Sequence, residues 1–183
     1  MPDAFRIRIW VILGDPGAGK STAIGHLTSQ FGATENGLRQ GPSPDESSVL
    51  LRGGGYLTIL SRRMAWQEAE KKPQEVVDLI LGKARQRQAE VPAISISWFN
   101  VLMALRYDAH DQRPNDFPAG YDYLSHFVRQ GWFIESLVLL NPNAARYHYH
   151  RFGASTYDLY DTTHPDNQIA WTVGQIRNHF GWA

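Results

Sequence analysis

Cysteine is absent from the 183 residues. That excludes disulfides, thiolate metal sites and a cysteine nucleophile, and it fits a reducing compartment. An excess of either charge is absent too: 18 basic side chains face 18 acidic ones, so net charge argues for no polyanionic partner. No apolar run approaches the roughly 18 residues of a membrane span. Arg6 and Arg8 interrupt the apolar residues where a signal peptide would be continuous. Repeats and low-complexity linkers are missing as well. These absences lead us to expect a soluble, cytoplasmic chain with no membrane partner. Its length, with 43% apolar and 20% charged residues, fits one globular domain spanning 1–183.

Charge is nevertheless distributed unevenly. Between Arg52 and Arg87 eight basic residues stand against four acidic ones, a local excess of +4. A solvated helix face and a phosphate- or nucleic-acid-facing patch both account for it.

Periodicity gives a coarse map. Strands are expected at 5–13, at 93–99, at 133–140 and at 156–161. Residues 49–60 read as two short strands about Gly53-Gly54-Gly55, or as one strand entered from a glycine loop. Helices are expected at 19–32, from Lys72 onward, at 120–131, at 143–153 and at the C-terminal end. In the second, Pro73 occupies the first turn, and Val76, Val77, Ile80, Leu81 and Ala84 form one apolar face. In the last, Thr163 and Asp166 make a capping box, Ile169, Val173, Ile176 and Phe180 share a face, and Gly181 closes it. Residues 32–48 read as loop, and 100–113 carry no clear period. Strands alternating with helices are the pattern of an α/β domain, doubly wound, with a mostly parallel sheet and helices on both faces.

The most informative stretch is "VILGDPGAGKSTAIGHL" (11–27). Gly14, Gly19, Lys20 and Ser21 match G-x-x-x-x-G-K-[ST] between an expected strand and an expected helix. Glycines let backbone N–H groups turn inward toward phosphate oxygens with no Cβ in the way. The helix start adds unpaired N–H groups and the positive end of its dipole. The candidate nucleotide site is therefore Gly14, Asp15, Pro16, Gly17, Ala18, Gly19, Lys20, Ser21 and Thr22. Lys20 supplies a charge at the β- and γ-phosphates of ATP, and Ser21 is the expected Mg²⁺ ligand.

Guanine-reading GTPases of this superfamily carry N/T-K-x-D, which does not occur here; "NPNA" (141–144) lacks the lysine and the aspartate. Motor- and AAA-type ATPases show an apolar strand ending in an acidic pair, whereas "AISISWFN" ends in Trp98, Phe99 and Asn100. Instead the chain resembles the small P-loop kinases of the nucleoside, nucleotide, shikimate and gluconate group. The likeness rests on the phosphate loop, on "VRQGWFIESLVLLNPNAARYHYHR" and on "YDLYDTTHPDNQIAWTVGQI", about half of the chain. It implies a P-loop NTPase fold and an ATP-dependent transfer of phosphate to a hydroxyl of a small molecule or nucleotide. It also makes Arg146 and Arg151 lid candidates, and it places Asp161, Thr162 and Thr163 beside the adenine. If 143–153 is an α-helix, the two arginines point about 140° apart; Arg151 is favoured because it lies nearer the "FGAS" end.

A catalytic acid is not assigned by the sequence. Asn100 stands near the expected position and cannot act as a base. Asp15 and the group Asp108, His110 and Asp111 are the other candidates. His148 and His150, two apart, point away from each other and suggest no metal. Trp98 and Phe99, taken to lie at the mouth of an inner strand, are candidates to line an acceptor pocket. A second resemblance, to phage kinases of 5-hydroxymethyluracil within DNA, rests on "GGGYLTILSRR" and "SWFNV"; it implies DNA as a partner, which the basic segment would suit. A nucleotide-binding switch with weak hydrolysis is the competing class.

Overall fold

The computed structural model describes residues 6–29, 46–90, 98–160 and 168–183. Six strands form one sheet, in the order β2-β3-β4-β1-β5-β6. They are β1 (Arg6–Leu13), β2 (Glu46–Leu50), β3 (Tyr56–Arg62), β4 (Trp98–Leu105), β5 (Phe133–Leu140) and β6 (Ser155–Leu159). All neighbours run parallel except β2 and β3, which pair antiparallel as a hairpin. Four α-helices accompany them: α1 (Lys20–Ser29), α2 (Pro73–Glu90), α3 (Gly120–Arg129) and α4 (Gln168–Phe180). A 3₁₀ helix spans Ala144–Arg151.

The centre of the sheet follows from the sequence of β1. Once past Arg8 it is buried on both faces, as a parallel strand covered by helices must be. Ile7, Ile9, Val11 and Leu13 pack with Val76, Val77 and Ile80 of α2 and with Leu124 and Phe127 of α3. Trp10 and Ile12 face the opposite way, among Ile24 and Leu27 of α1 and Val173, Ile176 and Phe180 of α4. The expected α/β architecture, with a mostly parallel sheet and helices on both faces, is thus present.

Several boundaries differ from the expectation. Glu46–Ser48 belong to β2 rather than to a loop, and the reading of 49–60 as two strands is the one adopted. The hairpin turns at Gly54 and Gly55, whose φ values of 82° and 85° suit glycine. Ile169 is exposed, so the buried face of α4 reduces to Val173, Ile176 and Phe180. The largest correction concerns β4, which continues to Leu105 instead of ending at Phe99. The capping box at Thr163 and Asp166 lies outside the described residues, as do 30–45 and 91–97.

Strand ends set the location of the site. Leu13 pairs with Leu105, and the Gly14 amide donates to the Leu105 carbonyl at 3.2 Å. The carboxyl ends of β1 and β4 are therefore level, and the chain beyond them is tightly packed. The Gly120 amide donates to the Arg106 carbonyl at 3.1 Å. A Cβ on Gly120 would collide with that carbonyl and would come within 2.9 Å of Leu13 Cδ2. Gly120→Ala is therefore expected to destabilise the fold by about 3 kcal/mol, the upper range for overpacking. Urea denaturation measures it, and a loss under about 0.5 kcal/mol, the level of a surface substitution, would contradict this packing.

Candidate functional site

The turn between β1 and α1 has the backbone that its glycines permit. Gly17 and Gly19 take φ values of 77° and 86°, which a side chain would strain. A Cβ on Gly14 would sit 3.0 Å from the Ala18 Cβ and 3.3 Å from that of Leu140, so the turn is closely folded on itself and on β5. α1 begins at Lys20, which leaves the first N–H groups of the helix at the turn.

Lys20 is buried, and its ammonium donates to the carbonyls of Gly14 at 3.0 Å and Asp15 at 2.7 Å. Burial pulls its pKa below the ordinary lysine value; Glu68 opposes this, and the charge of Arg106 adds to it. Ser21 donates its hydroxyl proton to the Arg63 carbonyl at 2.9 Å. A hydroxyl has two lone pairs besides its proton, so this bond leaves Ser21 Oγ able to ligate a cation. Beside it, Ser21, Thr22, Gly25, His26 and Arg63 line an open groove of about 480 Å³.

The 3₁₀ helix reaches the glycine turn separately from this groove. Arg146 grips Asp108 with both guanidinium ends, Nη1 to Oδ1 at 2.7 Å and Nη2 to Oδ2 at 2.5 Å. The same Nη2 is 3.7 Å from Asp15 Oδ1 in the glycine turn. Hydrogen bonding to Arg146 holds the Asp108 carboxyl below the ordinary aspartate range and raises Arg146 in return. Two tyrosines support this arginine. Its guanidinium lies 4.8 Å from the Tyr107 ring centroid. Tyr107 donates to the Leu140 carbonyl at 3.0 Å, and Tyr149 donates to the Tyr107 carbonyl at 2.7 Å. Burial pushes both phenols well above the ordinary tyrosine value, which keeps them protonated and donating.

Side-chain contacts decide which arginine faces the turn. In a 3₁₀ helix residues three apart lie on the same side, so Arg146 shares its side with the buried anchor Tyr149. Arg151 takes a different direction, with its guanidinium 4.5 Å from the Tyr121 centroid and 5.5 Å from that of Phe152. The preference for Arg151 therefore gives way to Arg146.

The corrected β4 relocates another group. Asn100 pairs with Arg8, five residues before the level of Leu13 and Leu105, or about 16 Å along the strand. Trp98, Phe99 and Asn100 therefore lie toward the end of the sheet opposite the glycine turn, and they line no pocket beside it. Asn100 instead accepts from Arg8 Nε at 3.0 Å and donates to the Thr58 carbonyl at 3.2 Å. The residue that follows β4 is Arg106, with Asp108 two positions on.

Arg106 was not singled out by sequence, nor was Gln67. Both are buried. Gln67 brackets the Arg106 backbone, accepting from its amide and donating to its carbonyl, each at 3.2 Å. The Arg106 side chain pairs with Asp111 at 3.0 Å. His110 stays in its own loop, where its ring accepts from the Gln112 amide. His148 bonds the Ala145 carbonyl and His150 bonds Asp158, so the two are separated as expected. Among the described residues no group of three or more His, Asp and Glu is placed to hold a metal. No helix among them is long and apolar enough to cross a membrane. Asp161, Thr162 and Thr163 lie outside the described residues.

Three side chains of the basic segment 52–87 have described partners. Lys72 pairs with Asp116 at 2.6 Å, Arg87 with Glu46 at 3.6 Å, and Arg62 lies 4.5 Å from the Trp66 ring centroid. What converges at the carboxyl end of the sheet is the glycine turn, Lys20, Ser21, Arg106, Asp108 and Arg146. No protein-family model matches this chain, and no curated protein or solved structure matches it.

Proposed function

We propose that this chain is a P-loop phosphotransferase that moves the γ-phosphate of ATP to a hydroxyl of a small molecule or nucleotide. One observation carries the reading: Lys20 and Arg146, from elements 126 positions apart in the chain, meet at the same glycine turn. A turn that only reversed the chain would need neither.

In this reading the phosphate-loop amides and Lys20 hold the β- and γ-phosphates, and Ser21 Oγ ligates Mg²⁺ through its free lone pairs. The acceptor oxygen forms a bond to the γ-phosphorus, the bond from phosphorus to the β-bridging oxygen breaks, and ADP leaves. The acceptor's proton passes to a carboxylate or to solvent. Asp108, which Arg146 holds beside the turn and releases on turning to the phosphate, is the carboxylate placed to take this proton. Arg146 itself spreads its charge over the transferred group, where electrostatic stabilisation supplies most of the rate. In doing so it exchanges carboxylate oxygens for phosphate oxygens of similar geometry.

A nucleotide-binding switch is the second reading, and Arg106 favours it, because a cation rather than a carboxylate directly follows β4. The test is ATP turnover with Mg²⁺, alone and with pools of nucleosides, nucleotides, sugars, and DNA with and without hydroxymethylated bases. A kinase shows turnover that rises sharply with one pool. Tight binding with slow turnover that no pool stimulates would establish the switch instead.

A further inference from the structure

Asp15 stands in the glycine turn at a position that G-x-x-x-x-G-K-[ST] leaves open. A carboxylate there repels a triphosphate held by the same turn, so the loop would bind nucleotide better without it. Its backbone is nevertheless firmly held. The Asp15 carbonyl accepts from the Ala18 amide at 3.1 Å and from the Lys20 ammonium at 2.7 Å. Pro16 follows it, which disfavours the helical conformation for Asp15. The turn itself therefore sets where this side chain can go.

That side chain meets Arg146. Asp15 Oδ1 lies 3.7 Å from Nη2, close enough to attract the guanidinium and too far to hydrogen bond. The same Nη2 bonds Asp108 Oδ2 at 2.5 Å. Two carboxylates thus share the arginine on different terms. Asp108, from the segment after β4, holds it by two hydrogen bonds, and Asp15 stands beside it on the loop. Hydrogen bonding to Asp108 does most to raise the Arg146 pKa, and the charge of Asp15 adds to it.

We infer that Asp15 is a positioning residue for Arg146, keeping the guanidinium at the glycine turn when Asp108 lets go. This rests on the phosphotransferase reading above. One residue thereby holds two cations of the site, Lys20 through its carbonyl and Arg146 through its carboxylate. As the guanidinium turns to the γ-phosphate, Asp108 gives up both of its bonds and is free for the acceptor's proton. Asp15 remains as the carboxylate on the loop, and it confines Arg146 to the transferred group instead of solvent. Its repulsion of the triphosphate weakens ground-state binding, which better placement of Arg146 in the transition state offsets.

The test is a double-mutant cycle of Asp15→Asn and Arg146→Ala in the full chain. Steady-state turnover is measured with ATP, Mg²⁺ and the nucleoside, nucleotide and sugar pools, and each protein is melted thermally. Asp15→Asn should lower kcat about tenfold, within the range of coupling between partners in one network. Its KM for ATP should be no higher than that of the wild type, because a repelling charge is gone. In the Arg146→Ala background the same substitution should change kcat less than about twofold, since the partner it acts through is absent. Asp15→Glu restores the charge and should recover most of the loss. Asp15→Asn should melt with the wild type, since the Asp15 side chain is 56% exposed and its ion pair contributes little to stability.

A wild type whose turnover no pool raises would remove the phosphotransferase reading, and this inference with it. Where a pool does raise turnover, the variants test the inference alone. Unchanged kcat in Asp15→Asn would overturn it. So would equal losses in the two backgrounds, since the carboxylate would then act without Arg146, or a loss that only follows a fall in melting temperature.

Discussion

Lys20→Ala is expected to lower phosphoryl transfer by on the order of a hundredfold or more, the cost of one lost charge partner in the transition state. A hundredfold corresponds to about 2.7 kcal/mol. The ammonium is buried and already directed at the turn by the carbonyls of Gly14 and Asp15. Little reorganisation therefore separates it from a phosphate in the same place. Truncation to alanine also removes a buried stem, so a poorly folded variant would show the same loss for the wrong reason. Lys20→Met keeps most of the stem and removes only the charge. It should lose transfer to a similar degree with its melting temperature close to that of the wild type. Steady-state turnover with the stimulating acceptor measures both variants. Wild-type turnover in a folded Lys20→Met protein would contradict the role given to this lysine.

The second large effect separates two arginines that the sequence leaves almost equivalent. Arg146→Ala is expected to reduce kcat roughly a hundredfold, within the range for a single oxyanion-stabilising donor. The KM for ATP should change far less, because the phosphate loop supplies ground-state binding. Arg151→Ala should stay within about threefold of the wild type in both constants, since its guanidinium lies over the rings of Tyr121 and Phe152 instead of the turn. Losing cation–π contacts of this kind costs on the order of 1 kcal/mol of stability, which thermal melting would register. Equal losses of kcat in the two variants would contradict the placement of Arg146. So would a loss confined to Arg151→Ala. An alternative in which Arg146 is only a structural brace to Asp108 makes a different prediction: Arg146→Ala would then lose kcat only in step with a fall in melting temperature.

The comparison of these two arginines also shows where sequence reading stops. β5 was legible to the residue, because "FIESLVLL" is an apolar run bounded by Gly131-Trp132 and Asn141-Pro142. The apolar face of α2 was legible because its period is long and clear. β4 was not, for the opposite reason. "VLMAL" is buried on both faces, so it shows no alternation, and a strand ended six residues early, at Phe99, moved Asn100 to the site and Arg106 away from it. Reading the apolar run to its end at Leu105 would have exposed Arg106 as the residue next to the glycine turn. β2 was missed in part because "ESS" has no apolar pattern; pairing with β3 across the hairpin makes it a strand. Arg146 was not legible because nearness to the "FGAS" end favoured Arg151, whereas the contacts that place Arg146, to Asp108 and Asp15, come from segments distant in the chain. The glycine turn was legible because its constraint is local: positive φ, a lysine and a hydroxyl at fixed spacing.

The account depends first on whether the glycine turn holds a nucleoside triphosphate. The most direct measurement is an amide ¹H–¹⁵N correlation spectrum of the full chain, recorded as Mg²⁺ and AMP-PNP are added. The account predicts saturable shifts concentrated at Gly14, Gly17, Gly19, Lys20 and Ser21, with a smaller set at Arg146 and its neighbours as that guanidinium leaves Asp108. A spectrum unchanged at millimolar nucleotide, or shifts centred away from residues 14–22, would contradict it.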